Sequence, residues 1–507
     1  MLLAALVVCR PGSIASAQAS DRPHSDLERG TDPSIQPGDD FFAYANGSWL
    51  RATEIPADKD RWNARSEIGE RTRQQVVRLL DDAGAEPVGS LARKVADFRA
   101  AYLNEAAIEA GGIAPLEPLL DSIAHVSDKA ALTRLLGRGL RADVDPLNWG
   151  VYRSSHLLGL AVEPSIHGEK TYVAFLLQGG LGLPDREYYV GTEPRLQELR
   201  ASYQQYVGRL LALAGFDRAD QRAEAVMALE TALAQAQATR EASANDHNAD
   251  NVWTRADFAR RAPGMDWSAF FAAAGLAEQE TFVAWQPTAV SGVAALVGSQ
   301  PLERWKDYLR ARVIDEFADV LPRAFAEPAL AMRGAVASQS QPSPRAERAL
   351  EVTRAAMSDA LGRMYAERYF PARQKARVEA IVANVVAAFR QRVEAATWMS
   401  PGTRTVALAK LKTLYFGIGY PDRWQDYSDL IVDSADPVGN LRRVADRNYR
   451  RAVARLGRPV DLTEWWIAPH TVGAVLVFQQ NAYNFPAALL QAPKFDPTAS
   501  DAANYGA

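Results

Sequence analysis

Through most of this chain, apolar residues return every three or four positions, a period that permits little besides packed helices. Ile68, Val76, Leu79 and Leu80 form one such stripe over 66–83. Leu91, Val95, Phe98 and Tyr102 form the next, with Ser90 placed to cap it. The same spacing predicts helices over 193–214, 219–240, 302–317, 345–368, 374–397, 403–416 and 437–456. Strand signals are few. Residues 171–177 (TYVAFLL) read as a short strand, and 471–480 (TVGAVLVFQQ), β-branched and bounded by Pro469 and Asn481, as a stronger one. Gly111-Gly112, Pro263-Gly264 and 338–344 read as connectors. The fold class is therefore mainly α, a large multi-helix lobe with a small β component.

With 48% hydrophobic and 23% charged residues, the chain is composed like a globular protein and not a disordered one. A net charge of -4 lacks the basic footprint of a nucleic-acid binder. No apolar run approaches the roughly 18 residues a membrane-spanning helix needs. Residues 2–8 (LLAALVV) form a short apolar core, and Ala15-Ser16-Ala17 fits a signal-peptidase site. Residues 1–17 thus read as a signal peptide and 18–36 as a polar, turn-rich and extended leader, which places the protein in a periplasm or outside the cell. The one cysteine, Cys9, would leave with the signal. That removes disulfides, cysteine-ligated zinc and cysteine nucleophiles together.

The common catalytic signatures are missing. There is no Gly-Lys dipeptide for a P-loop and no serine in Gly-x-Ser-x-Gly. Gly180-Leu-Gly182 and Gly417-Ile-Gly419 each run into Pro-Asp or Tyr-Pro-Asp without a third glycine, and read as turns. The six histidines, His24, His125, His156, His167, His247 and His470, are too scattered for two to share a helical face. His167-Gly-Glu169 reads as an exposed loop, His470 as a hydrogen-bonded structural residue, and Asp39-Asp40 as a cap or turn.

Four segments in order resemble the neprilysin-type family of zinc metallopeptidases, especially its bacterial members. The first is Pro37-Gly-Asp-Asp-Phe-Phe-Ala-Tyr-Ala-Asn-Gly-Ser-Trp49-Leu50, followed by Ile55-Pro-Ala-Asp58. Next comes Gly180-Leu-Gly-Leu-Pro-Asp-Arg-Glu-Tyr-Tyr189. Trp398-Met399, Thr403, Lys410 and Ile418-Gly-Tyr-Pro-Asp422 make the third. Trp466 to Pro493, with Phe485-Pro-Ala487, is the fourth. The resemblance implies a catalytic lobe begun by 37–90, a helical lid lobe over 91–400, and a return to the catalytic lobe over 401–507 with an edge strand at 471–478. Trp49 and Trp398 are expected to be packing residues, and Gly419-Tyr-Pro-Asp422 a turn.

The resemblance also implies site residues. The family's Asn-Ala pair, which holds the substrate backbone beside the zinc, falls on Gly473 and Ala474. An unpaired strand edge offers N–H and C=O groups to an extended peptide. Gly473 lacks the side-chain amide of the Asn, which leaves the backbone contact and removes the side-chain one. Arg61 sits where a family arginine binds the carboxylate end of short peptides, and Ser66 stands where some relatives have an acid. In the family, the stretch resembling Asn504-Tyr505-Gly506-Ala507 runs into the helix bearing His-Glu-x-x-His. This sequence stops before it, so the expectation is the amino-terminal part of a secreted zinc metalloendopeptidase, its catalytic lobe incomplete. No catalytic residue, metal ligand or cofactor is assigned to the chain itself; zinc belongs to the full-length parent. The alternative is a non-catalytic periplasmic peptide-binding or interaction protein. Either way the expected partner is a peptide, and the incomplete lobe is expected to expose apolar surface.

Overall fold

The computed structural model describes residues 30–57, 59–168, 170–338 and 341–506. The expected signal peptide with Cys9, most of the polar leader, His24, Asp58, Glu169 and Ala507 lie outside the described residues. The chain divides into two compact units, Met1–Ile68 with Leu490–Ala507, and Gly69–Leu489.

In the smaller unit, Asp40 caps the helix Phe41–Ala52 by accepting the Ala43 N–H at 2.9 Å. This is the capping role expected of the Asp39-Asp40 pair. Trp49 donates its indole N–H to Glu67 at 2.7 Å. Buried Asp32 takes Arg51 and Ser34, and those bonds hold its pKa down to about 2. At the other end of the sequence, Asn504 closes a loop by accepting the Asp496 N–H and donating back to the Asp496 carbonyl, both at 2.9 Å.

The larger unit is built on helices around two small sheets. Strands β1 (Leu158–Pro164), β2 (Tyr172–Gln178), β3 (Val252–Thr254) and β4 (Thr281–Ala284) lie in the order β1-β2-β4-β3. β1 and β2 form an antiparallel pair from Leu158↔Gln178 to Pro164↔Tyr172, and β2 runs parallel to β4. Every residue of β1 is buried, so its sequence shows no polar-apolar alternation to announce it. The helices Pro194–Leu213, Ala219–Ala236 and Leu302–Phe317 pack into the same core through Tyr203, Leu210, Val226, Leu233, Trp305 and Ile314.

The Gly180–Tyr189 motif is held from beneath by this core. Gly182 donates its N–H to Glu230 at 3.3 Å, and Leu183 donates to the Tyr189 hydroxyl at 2.8 Å. A Cβ at Gly182 would lie 1.8 Å from the Tyr203 hydroxyl, so only glycine fits. The motif is a packed turn, as its sequence indicates.

The second sheet comprises β5 (Tyr415–Gly419), β6 (Val475–Val477) and β7 (Ala482–Pro486), ordered β5-β7-β6. Here several expectations are corrected. Gly417-Ile-Gly419 is strand and not turn, because β5 pairs in parallel with β7 from Tyr415↔Ala482 to Gly419↔Pro486. Its preceding helix accordingly ends early and spans Pro401–Lys412. The helix expected over 345–368 is two, Arg345–Ala356 and Ser358–Tyr369, broken at Met357 with φ -112. The strand expected over 471–478 is confined to Val475–Val477, since Val472 and Gly473 form a bend and Phe478–Gln480 a 3-10 turn. Trp398 does not pack at all; it is 80% exposed.

Candidate functional site

The β6 edge takes its position from β7. Ala482, Asn484 and Pro486 point into the protein, and Asn484 is fully buried. Val475 lies opposite Asn484 and Val477 opposite Ala482. This register buries both valines against Ile467, with Trp465 and Trp466 packed around them. Asn481 makes the connection possible: it adopts φ 52 and donates its amide to the Lys410 carbonyl at 3.0 Å. Asparagine tolerates that left-handed conformation better than other residues with a Cβ. β7 is flanked on both sides, whereas β6 has one neighbour in the sheet. Its outer edge is the arrangement to which an extended peptide adds.

Gly473 and Ala474 directly precede β6. Gly473 is half-buried and donates its N–H to the Thr471 carbonyl at 3.2 Å, inside a bend. Ala474 is exposed and leads into the strand. Gly473 therefore spends its backbone donor internally, and Ala474 is the better placed of the two. Arg61 is also exposed, in the smaller unit, two residues before Asn63. The Asn63 side chain accepts the Ser66 N–H at 3.1 Å, so the serine standing at the family's acidic position belongs to a helix cap.

No described histidine belongs to a trio of metal-ligating side chains. His470 is buried, and its Nδ1 has no hydrogen-bond partner among the described residues, contrary to the bonded role expected. Burial, and then the charge of Arg354, pull its pKa to about 3, so the ring is neutral. His167 Nε2 lies 3.1 Å from the Ala249 carbonyl. His156 bridges Asp143 and Glu316 at 3.4 and 3.6 Å. Burial opposes its charge, but the two carboxylates outweigh that and raise its pKa to about 9. Among the described residues no three His, Cys, Asp or Glu side chains are placed to hold one metal ion. The described residues therefore do not fit a catalytic zinc.

Sequence reasoning missed a polar cleft of about 380 Å³ behind β6. Trp465 and Trp466, which pack on β6, also line it, together with Glu163 of β1, Asp145, Asp359 and Arg455. Arg455 ties the cleft's walls together: it bonds Glu464 at 2.5 Å and the Val162 carbonyl, and lies over the Tyr172 ring at 4.7 Å. Tyr172 in turn donates to Glu464 at 2.7 Å. The available signal was a single acid, Glu163, inside the otherwise apolar run LGLAVEP.

Residues 37–421 match the model of peptidase family M13. Mouse endothelin-converting enzyme-like 1 is 27% identical over 495 residues, covering 95% of this chain and 64% of the mouse protein. The chain thus spans somewhat less than two thirds of that relative's length. Bovine endothelin-converting enzyme 1 is 24% identical over 530 residues, covering all of this chain and 70% of its own. A zinc metalloprotease of Mycobacterium tuberculosis, solved in its open state, superposes with a TM-score of 0.86 at 33% identity. That match covers 93% of this chain and 72% of the mycobacterial one.

Proposed function

The chain belongs to peptidase family M13, and from that premise we propose that it supplies the lid and the peptide-holding edge of a secreted zinc metalloendopeptidase. The observation that carries the reading is the β6 edge, with exposed Ala474 leading into a strand that has one neighbour. An extended peptide would add as a further strand, held by backbone hydrogen bonds that ignore its side chains. Gly473 gives no side-chain amide, so peptide affinity rests on the backbone. Separately from the edge, Arg61 is proposed to bind the carboxylate end of short peptides through its planar, bidentate guanidinium. Residues 37–90, 91–400 and 401–507 are proposed as the start of the catalytic lobe, the lid, and the return to the catalytic lobe.

The 507 residues contain no His-Glu-x-x-His sequence. Hydrolysis by metal-activated water needs three protein ligands and an open position for the water. We therefore expect these residues alone to bind peptides without cleaving them. Export is proposed from Leu2–Val8 and the Ala15-Ser16-Ala17 site; amino-terminal sequencing of the protein from the producing cells checks it, and an intact Met1 would oppose it.

A second reading, a peptide-binding protein without catalysis, draws on the same edge and on the lack of a ligand trio among the described residues. Calorimetric titration of the purified chain with an extended peptide library tests the shared premise. Binding is expected; silence across the library overturns both readings. Reading the coding sequence past codon 507 separates them, since a His-Glu-x-x-His in any frame favours the peptidase.

A further inference from the structure

β1 is apolar apart from Glu163, whose carboxyl faces the cleft behind Trp465 and Trp466. Glu163 is 2% exposed, and its Oε2 is buried with no hydrogen-bond donor among the described residues. The charged groups around it come from three further parts of the chain. They are Asp145 from the loop before β1, Asp359 from the helix Ser358–Tyr369, and Arg451, Arg455 and Glu464 from the helix Pro437–Val453 and its sequel. Both arginines are already engaged: Arg455 with Glu464 and the Val162 carbonyl, Arg451 with the Gln425 side chain. Asp145 spends one oxygen on the backbone N–H groups of Asn148 and Trp149, at 2.8 and 3.3 Å.

Two acids thus meet, and the arginines lining the cleft are bonded to other partners. A buried carboxyl oxygen without a donor is costly, and two carboxylates facing one another cannot both ionise cheaply. Burial, and then the neighbouring Asp145, push Glu163 well above the usual carboxylate range. Both effects favour the protonated form of Glu163. The cavity beside them has room for a small group, and an indole wall suits a cation.

We propose that the cleft is a binding site for an organic cation, an alkylguanidinium or alkylammonium, seated against Glu163 and Asp145 and displacing a proton from Glu163. The exchange balances: one cation enters, one proton leaves, and the net charge of the cleft is unchanged. A planar guanidinium matches the paired carboxyl oxygens best. The site does not depend on β6, because a free alkylguanidinium has no peptide backbone to pair with it.

Isothermal titration of the purified chain with n-butylguanidinium, a monocation, in buffers of different ionisation enthalpy, reads both affinity and proton release. The expected result is binding with close to one proton released per cation. Affinity should rise about tenfold per pH unit while Glu163 remains protonated. A second arm uses acetyl-Ala-Arg-Ala-amide, and binding confined to it identifies the cation as a peptide side chain rather than a free amine. Glu163→Gln, nearly isosteric, should lower affinity at least tenfold and abolish the proton release, and Asp145→Asn should act likewise. No binding in either arm, binding without proton release, or undiminished binding by both variants overturns the proposal.

Discussion

The hydroxyl of Tyr189 donates to the Glu230 carboxylate at 2.5 Å, and neither group reaches solvent. Tyr203 donates to the same carboxylate at 3.0 Å, and Gly182 adds a backbone N–H. Burial lifts the Glu230 pKa, while the charge of Arg312 and the two phenols oppose the lift. One acid from the helix Ala219–Ala236 thereby fixes the Gly180–Tyr189 turn onto the core.

Removing the Tyr189 hydroxyl leaves the Leu183 N–H without its acceptor and leaves one Glu230 oxygen with only the Gly182 N–H at 3.3 Å, in a dry site. Tyr189→Phe is therefore expected to cost about 1–3 kcal/mol, the range for a buried polar group left unpaired. Urea unfolding of wild type and variant measures it. An unchanged midpoint would show that the turn is held by packing alone.

His156 makes stability depend on alkaline pH. Its folded pKa, about 9, stands above the ordinary histidine value of 6.5 because Asp143 and Glu316 hold the imidazolium against the cost of burial. A raised pKa means that the folded state binds the proton more tightly. The contribution is complete below about 6.5, declines between 6.5 and 9, and is lost above 9. Unfolding midpoints at pH 6, 8 and 10 should fall across that interval, and His156→Gln should flatten the fall. A variant that keeps the wild-type slope would assign the dependence to other groups.

These groups differ in how far the sequence announces them. Trp305, Tyr308, Ala311 and Ile314 recur on one face, so the helix Leu302–Phe317 can be read to the residue. Met357 cannot be read as a break, because the buried residues Leu350, Met357, Leu361 and Tyr365 keep a helical spacing across it. Strand β5 depends on β7, more than sixty residues later, and its two glycines argue locally for a turn. A Cβ at Gly417 would come within 2.7 Å of the Asn484 amide and 2.8 Å of Trp465, a constraint visible only after pairing. The order of the family motifs gave the candidate edge, but its length and the bend at Gly473 come from tertiary register. The cleft acids Asp145, Glu163 and Asp359 arrive from distant segments, and no local pattern joins them.

The exposure of Trp398 has a physical consequence. Val385 and Phe389 on the helix Ala372–Glu394, Trp398 after it, and Val406 on Pro401–Lys412 are each more than half exposed. Such apolar faces drive association. The purified chain is expected to self-associate with rising concentration, as light scattering would register. Val385→Ser with Phe389→Ser should shift the association to higher concentration, with little change in the unfolding midpoint. A wild-type chain that stays monodisperse across the concentration range contradicts this expectation.

The peptide edge gives the most direct test of function, because Gly473 and Ala474 should respond in opposite directions. Gly473 contributes only backbone, and its N–H already serves Thr471. Gly473→Asn restores an amide at the point where the bend opens onto β6. One added hydrogen bond is worth about 0.5–1.5 kcal/mol, which corresponds to a roughly threefold to tenfold gain in affinity for extended peptides. Ala474→Pro removes a backbone donor beside β6 and fixes φ, so the same peptides should bind at least several-fold more weakly. Neither change touches the buried valines, and far-ultraviolet circular dichroism should confirm an intact fold. If both variants bind as wild type does, peptides are held elsewhere, and the edge loses its assigned role.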